Sequence, residues 1–381
     1  VIQRTLKSLV SQRLKTFPAV ALLGPRQSGK TTLARTFTDH YYDLEQEQDR
    51  LRVDVEWENI VNAKHLAVFD EAQEMPQLFP RLRSAIDTDR RRNGRFLLLG
   101  SVSPSLMQRV SDSLAGRLAL CELTPLLASE LPKSKWDAAW RMGGYPHGGI
   151  LDAAQFPRWQ KDYLELLAQR DLPHWGLTSQ PRVMLRFFQM LAAIHGQTWN
   201  ASQLGQSLGL SYHTVNKYAD FLEQTFLVRR LPPYFANIRK RLVKSPKIYW
   251  RDSGLLHSLL GLEEPSALLT RPWVGASWEG WVIEQILSSL GSRGESFQAH
   301  YFRTSDQHEI DLLLEYRDRL WAFEIKLTTA PSPQDLEKLD ADAALVKADG
   351  CFLVSRIPTP TATAKRGVLN VEAVLEMLGS L

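Results

Sequence analysis

The sequence predicts a multidomain α/β protein. Three observations carry that prediction: apolar runs alternating with polar helical stretches from Ala19 to about Leu131, a helical region that follows, and a second series of strand-like runs after Leu262. A chain of 381 residues has room for two to three domains at roughly 100–200 residues each.

Composition narrows the class. With 44% hydrophobic and 23% charged residues, a collagen, a coiled coil and global disorder are excluded. Cys121 and Cys351 are the only cysteines, so neither a disulfide framework nor a cysteine zinc site can be built. No stretch approaches the roughly 18 consecutive apolar residues of a membrane helix, and residues 1–10 lack a continuous signal-peptide core. A cytoplasmic protein with no membrane partner is expected. The net charge of +4 permits a nucleic-acid partner without requiring one.

The first domain is expected over residues 1–131. Ala19–Leu23, Leu66–Phe69, Phe96–Leu99 and Ala119–Leu123 are flanked by turn or charged residues, as buried parallel strands require. Directly after the first run, Gly24-Pro25-Arg26-Gln27-Ser28-Gly29-Lys30-Thr31 fits the G-x4-G-K-[ST] pattern and leads into the helical Thr32 to Phe37. Glycines let successive backbone N–H groups curl around phosphate oxygens, Lys30 reaches the outer phosphates, and the Thr31 hydroxyl can ligate Mg²⁺. The second run ends in Asp70-Glu71; Asp70 can hold the Mg²⁺ shell and Glu71 can polarise the attacking water of ATP hydrolysis. The third run ends in Gly100-Ser101, beside the same site, and Gly116-Arg117 supplies an arginine that fits either a phosphate-sensing or finger role or a surface salt bridge.

In this order, Asp70-Glu71-Ala72-Gln73, Gly100-Ser101, Leu114-Ala115-Gly116-Arg117, Gly143-Gly144-Tyr145-Pro146 and Arg170-Asp171-Leu172 resemble the prokaryotic AAA-type P-loop ATPases that carry a C-terminal domain of unassigned function. The resemblance covers nearly the whole chain. It implies an AAA-type ATPase core, a small lid, a winged-helix segment and a terminal domain of restriction-endonuclease-like fold.

The residues themselves support each later part. Between 132 and 197, Trp159, Tyr163, Leu166 and Leu167, then Val183, Phe187, Met190 and Leu191, recur at helical spacing, which suits an all-α lid or connector. Over 198–262, Ser202–Leu208, the turn Gly209-Leu210-Ser211 and Tyr212–Phe226 read as helix, turn, helix, with Val215, Tyr218, Ala219 and Leu222 on the buried side. Two β-like runs follow, as in a winged helix. Arg229, Arg230, Arg239, Lys240, Arg241, Lys244 and Lys247 fall within them without an acidic residue, the expected signature of a wing on phosphates, with Tyr212, His213 and Asn216 at the front of the recognition helix. A protein contact fits equally.

The last domain is expected over 263–381. In Trp321–Leu327 a period of two places Glu324 and Lys326 on one face. Asp311, thirteen residues before Glu324, comes beside it if the chain turns around Arg317 to Arg319, and Glu279 stands on a helix before them. This set resembles the D…(D/E)-x-K signature of restriction-type nucleases, with Ile310 where a proline often stands. Glu279, Asp311 and Glu324 would hold Mg²⁺ or Mn²⁺, and Lys326 would handle the water. The motif is short, and a cross-strand salt bridge on a solvated sheet also explains it.

The leading expectation is Mg²⁺-dependent ATP hydrolysis coupled to a nuclease-like domain directed at nucleic acid, DNA more than RNA. The competing one is an ATP-controlled binding switch with an inert nuclease-like domain. Either is compatible with an oligomer.

Overall fold

The structure is a computed structural model that describes residues 2–101, 114–235, 243–306 and 308–381. Five strands, β1 (Ala19–Gly24), β2 (Tyr41–Asp43), β3 (Ala67–Asp70), β4 (Phe96–Ser101) and β5 (Leu118–Glu122), form a parallel sheet in the order β2-β3-β4-β1-β5. β1 is buried along its whole length. Its pleat sends Ala19, Ala21 and Leu23 into one apolar cluster and Val20 and Leu22 into another, as a strand covered on both faces requires. Only β4 separates β1 from β3, so the turn after Gly24 and the carboxylate of Asp70 emerge at the same edge of the sheet. β2 is an addition to the four expected strands; Tyr41-Tyr42-Asp43 is too short and too polar to read as an apolar run.

The helices Arg158–Leu166, Pro181–Ala193, Ala201–Leu208 and Tyr212–Gln224 follow. Gly209 turns the chain between the last two at φ 68°, and the Ser211 hydroxyl accepts the Thr214 N–H as cap. Helices on both sides of the expected 197/198 boundary share one core, in which Phe187, Phe188 and Leu191 join Val215, Leu222 and Trp250. β6 (Val228–Leu231) and β7 (Lys247–Trp250) pair antiparallel. Pro232 and Tyr234 exchange backbone hydrogen bonds with Tyr301, and Val243 donates to Arg303, so residues 232–234 and 243 lie along β8 (Phe297–Arg303). Arg239, Lys240 and Arg241 lie outside the described residues.

The C-terminal unit is a mixed sheet ordered β12-β13-β11-β10-β9-β8, with β9 (Glu309–Tyr316), β10 (Arg319–Ile325), β11 (Gly350–Val354), β12 (Thr361–Ala362) and β13 (Arg366–Leu369). Arg317 and Asp318, at φ 52° and 57°, make the two-residue turn between β9 and β10, a backbone shape whose twist matches the strands it joins. The register pairs Leu312 with Phe323 and carries Asp311 to the level of Glu324. Helices Val274–Arg293 and Val371–Ser380 cover one face and Pro333–Val346 the other.

Candidate nucleotide site and the C-terminal carboxylate cluster

Gly24 ends β1 where a Cβ would stand 2.2 Å from the Leu123 carbonyl oxygen, so only glycine fits. Gln27 and Gly29 take positive φ, 61° and 99°, curling the loop before the helix that starts at Lys30. The Lys30 side chain is 6% exposed and donates to the carbonyls of Gly24 and Pro25 at 3.0 Å each. Burial lowers its pKa, against the pull of Glu71 and Asp70. The Thr31 hydroxyl donates to Asp70 Oδ2 at 2.6 Å, and the Tyr41 phenol donates to the same oxygen at 2.5 Å. Burial and that bond push the Tyr41 phenol up, which keeps it a donor. The Glu71 N–H donates to Asp70 Oδ1 at 2.9 Å. Glu71 itself sits at φ 48° and accepts from Gln73 Nε2 at 2.6 Å.

Arg26, Lys30, Thr31, Glu71, Pro146 and His147 line a cleft of about 400 Å³. A second, mostly apolar recess of about 450 Å³ adjoins it, sharing Gly29, Thr32, Pro146 and His147 and adding Ile2, Leu33, Leu126 and Leu151. The loop is braced from both sides. Arg26 pairs with Asp171 Oδ1 at 2.8 Å and Glu45 at 3.5 Å, while the buried Arg4 donates to the Ser28 and Thr124 carbonyls and to Glu130. Gly143-Gly144-Tyr145-Pro146 reaches the cleft because the Gly144 carbonyl accepts from Leu126 N–H and its N–H donates to Asp252 Oδ2 at 2.8 Å. Asp252 also caps the helix Ser253–Leu259 through Leu255 N–H. Burial pushes its carboxyl up to about 6, although the backbone N–H of Gly144 pulls the other way.

Gly24, Pro25, Arg26, Gln27, Ser28, Gly29, Lys30, Thr31, Thr32, Asp70 and Glu71 are thus brought to one sheet edge. Ser101 is paired with Gly24 in the register, and its side chain lies outside the described residues. Arg117 is a correction. Leu118 pairs with Ala19, so Arg117 stands at the opposite edge, six residue steps along the sheet or roughly 20 Å from Gly24 at about 3.3 Å per residue. There it grips both oxygens of Asp87 at 2.8 and 2.9 Å, which leaves it out of its own chain's phosphate site.

The C-terminal set also departs from expectation. Asp311, Glu324 and Glu279 do converge, but Asp311 and Glu279 close, with Glu309, on an ammonium from outside the domain. Lys247, the first residue of β7, is 2% exposed and lies 2.8 Å from Glu309 Oε1, 3.0 Å from Glu279 Oε1 and 3.4 Å from Asp311 Oδ1. Burial opposes its charge, yet Glu279, Tyr249, Asp311 and Glu309 hold its pKa well above the ordinary value. Burial and Asp311 push Glu279 up to about 7 and Glu324 up to about 9. Lys326 pairs with Asp335, whose carboxylate accepts from the N–H of Ser332, the N-cap of the helix Pro333–Val346. Among the described residues no three His, Cys, Asp or Glu side chains are arranged to hold a metal ion. Two residues of the basic run are similarly engaged: Arg229 pairs with Glu284, and Arg230 with Asp220 and Glu223. Asn216 accepts from Trp199 Nε1.

Sequence reasoning missed Arg4, Tyr41, Tyr249 and Glu309, and it read Lys247 as a wing contact on phosphates.

A parallel sheet with a phosphate loop after β1 and an acidic pair after β3 defines a P-loop protein of the AAA, ATPase-like class, and residues 16–131 match the AAA domain family. Residues 133–266 and 274–371 match two domains of unknown function, DUF8612 and DUF4143. The chain belongs to the same family as the uncharacterized protein Rv2008c of Mycobacterium tuberculosis, to which it is 40% identical over 320 residues, 83% of this chain and 71% of that one. An uncharacterized protein of Haemophilus influenzae is 22% identical over 72% of this chain and 64% of its own. Among solved structures, the Walker-type ATPase PABY2304 of Pyrococcus abyssi aligns with 68% of this chain and 96% of its own, at 15% identity and a TM-score of 0.46.

Proposed function

We propose that the protein is a Mg²⁺-dependent ATP-hydrolysing switch, in which the state of the phosphate site is passed to the C-terminal sheet through residues 143–171 and β7. The observation that carries this reading is the Thr31–Asp70 hydrogen bond at 2.6 Å, with Lys30 and Glu71 on the same cleft. Thr31 and Asp70 suit Mg²⁺, being a hydroxyl and a carboxylate already in contact, and the ion would neutralise charge on the outer phosphates. Loop N–H groups from Gln27 to Thr32 hold the phosphates, Lys30 turns from its carbonyls to them, and Glu71 orients the attacking water. The apolar recess beside Leu33 and Leu126 takes the base.

Phosphate release tests this. Lys30→Ala should lose ATP binding, whereas Glu71→Gln should keep ATP bound and turn over about a hundredfold or more slower. Turnover of Glu71→Gln equal to wild type would remove Glu71 from the role.

A second reading, a nuclease acting on DNA more than RNA, is favoured by one observation: Asp311 lies across from Glu324 on paired strands and accepts the Ile325 N–H at 2.9 Å. In that reading the C-terminal sheet is restriction-endonuclease-like and residues 201–250 form a winged helix. Incubation with plasmid, single-stranded DNA and RNA, with Mg²⁺ or Mn²⁺, should give cleavage that Asp311→Ala abolishes; no cleavage of any of them leaves the switch.

A further inference from the structure

Four carboxylates, Glu279, Glu309, Asp311 and Glu324, meet at the base of the C-terminal sheet, and the cation among them comes from β7, outside the domain. Lys247 faces this cluster because the pleat of β7 puts it on the same side as Tyr249, whose phenol donates to the same Glu279 Oε1 at 2.5 Å. Ile248 and Trp250 point the other way, into the helical core. An ammonium has three N–H donors, and three carboxylate oxygens stand within 3.4 Å of Lys247 Nζ, one each from Glu309, Glu279 and Asp311. The Tyr301 ring lies on a further side, its centroid 5.6 Å away.

A divalent metal needs about six oxygens at roughly 2.0–2.6 Å. Here the second Asp311 oxygen is taken by Ile325 N–H, and Glu279 Oε1 already serves two donors. With the Lys247 ammonium among them, these residues therefore fit an amine and not the divalent ion expected of a nuclease-like site.

We propose that Lys247 is the resident cation of this cluster, filling with its three donors the place a divalent metal takes in a nuclease-like site, so that no such metal binds while β7 is in position. The inference is independent of the nucleotide reading, since it concerns residues at the far end of β7 from the ATP cleft.

Mn²⁺ titration of the full chain without nucleotide, followed by the spin resonance of the free ion, tests it. All arms carry Asp70→Asn, which removes the phosphate-loop carboxylate from the count. With Lys247 intact, no saturable Mn²⁺ site is expected. Lys247→Met keeps the stem and removes the charge; it should gain one Mn²⁺ per chain, at least tenfold tighter than any residual binding, and Mn²⁺ should raise its melting temperature alone. Adding Asp311→Asn should abolish both gains. One Mn²⁺ bound with Lys247 intact and lost in Asp311→Asn would overturn the proposal, and this comparison holds even if Lys247→Met does not fold. A folded Lys247→Met that gains no Mn²⁺ would overturn it as well.

Discussion

Arg26 of the phosphate loop and Asp171 of the helical region are joined at 2.8 Å although 145 positions separate them. Asp171 is 2% exposed and also accepts from Arg170 Nε at 2.9 Å. The loop conformation is thereby tied to the helices that close over it. Asp171→Ala should leave Arg26 with Glu45 alone and raise KM for ATP about three- to tenfold, more than it lowers kcat, because a charge-assisted bond of this kind positions the loop without touching the reacting atoms. Steady-state ATPase kinetics, with Arg26→Ala and the double variant, should give a coupling energy of about 1–3 kcal/mol; additive effects would mean that the pair does not act as a unit.

The two hydroxyls on Asp70 Oδ2 separate by role. Thr31→Ala removes an oxygen that the Mg²⁺ shell would use and should lower kcat/KM by about a hundredfold or more, whereas Tyr41→Phe removes only a bond that orients the carboxylate and should lower it less than about tenfold. Raising Mg²⁺ should partly rescue the second and leave the first unchanged.

Asp252 gives a pH signature. Its folded pKa, about 6, lies above the ordinary 3.8, so its contribution to stability is fully present below about pH 4 and is lost as pH rises through about 6. Asp252→Asn, which keeps one acceptor for the helix cap, should lack this slope. Melting temperatures between pH 4 and 7 should show the variant gaining on wild type up to about pH 6 and running parallel above it.

Two glycines should respond in opposite directions to alanine. At Gly144 a Cβ would stand 2.3 Å from the Leu126 carbonyl oxygen; since backbone cannot yield cheaply, Gly144→Ala should destabilise by about 3 kcal/mol or more. At Gly275, in the helix Val274–Arg293, nothing lies within 4 Å, and Gly275→Ala should stabilise by about 0.4–1 kcal/mol by narrowing the unfolded ensemble. Chemical denaturation measures both.

If nucleic acid binds, Arg229 and Lys244 should differ. Arg229 is spent on the buried Glu284, so Arg229→Ala should lower stability and leave the salt slope of binding unaltered. Lys244→Ala should flatten that slope by about one unit, as loss of one phosphate contact does. Fluorescence anisotropy over a salt series decides it, and equal slopes for wild type and Lys244→Ala would take Lys244 out of the interface.

The phosphate loop and Asp70-Glu71 were legible because their chemistry is local: a glycine turn after an apolar strand and an acidic pair after the next leave a pattern in consecutive residues. The β9–β10 turn was legible for the same reason, since two short runs flank Arg317 to Arg319. What escaped was long-range. Nothing around Arg4 announces Glu130, and nothing around Arg26 announces Asp171. Lys247 was misread by context, because a lysine at the end of a basic run looks like one more phosphate contact, and the carboxylates that claim it lie on a helix and a strand at least 32 positions away. Arg117 was open between two roles on sequence, and strand register decided where it stands.

β7 also works as a ruler. From Lys247 to Asp252 the chain runs five residues, roughly 17 Å when extended, with one end fixed among carboxylates and the other at Gly144 beside the ATP cleft. Because pleated side chains alternate, inserting or deleting a single residue here would send Lys247 and Tyr249 toward the helical core and bring Ile248 and Trp250 to the carboxylates. Length in this stretch is therefore under tighter constraint than side-chain identity at most of its positions, and relatives that keep both anchors should vary in length elsewhere, in the loop between β6 and β7.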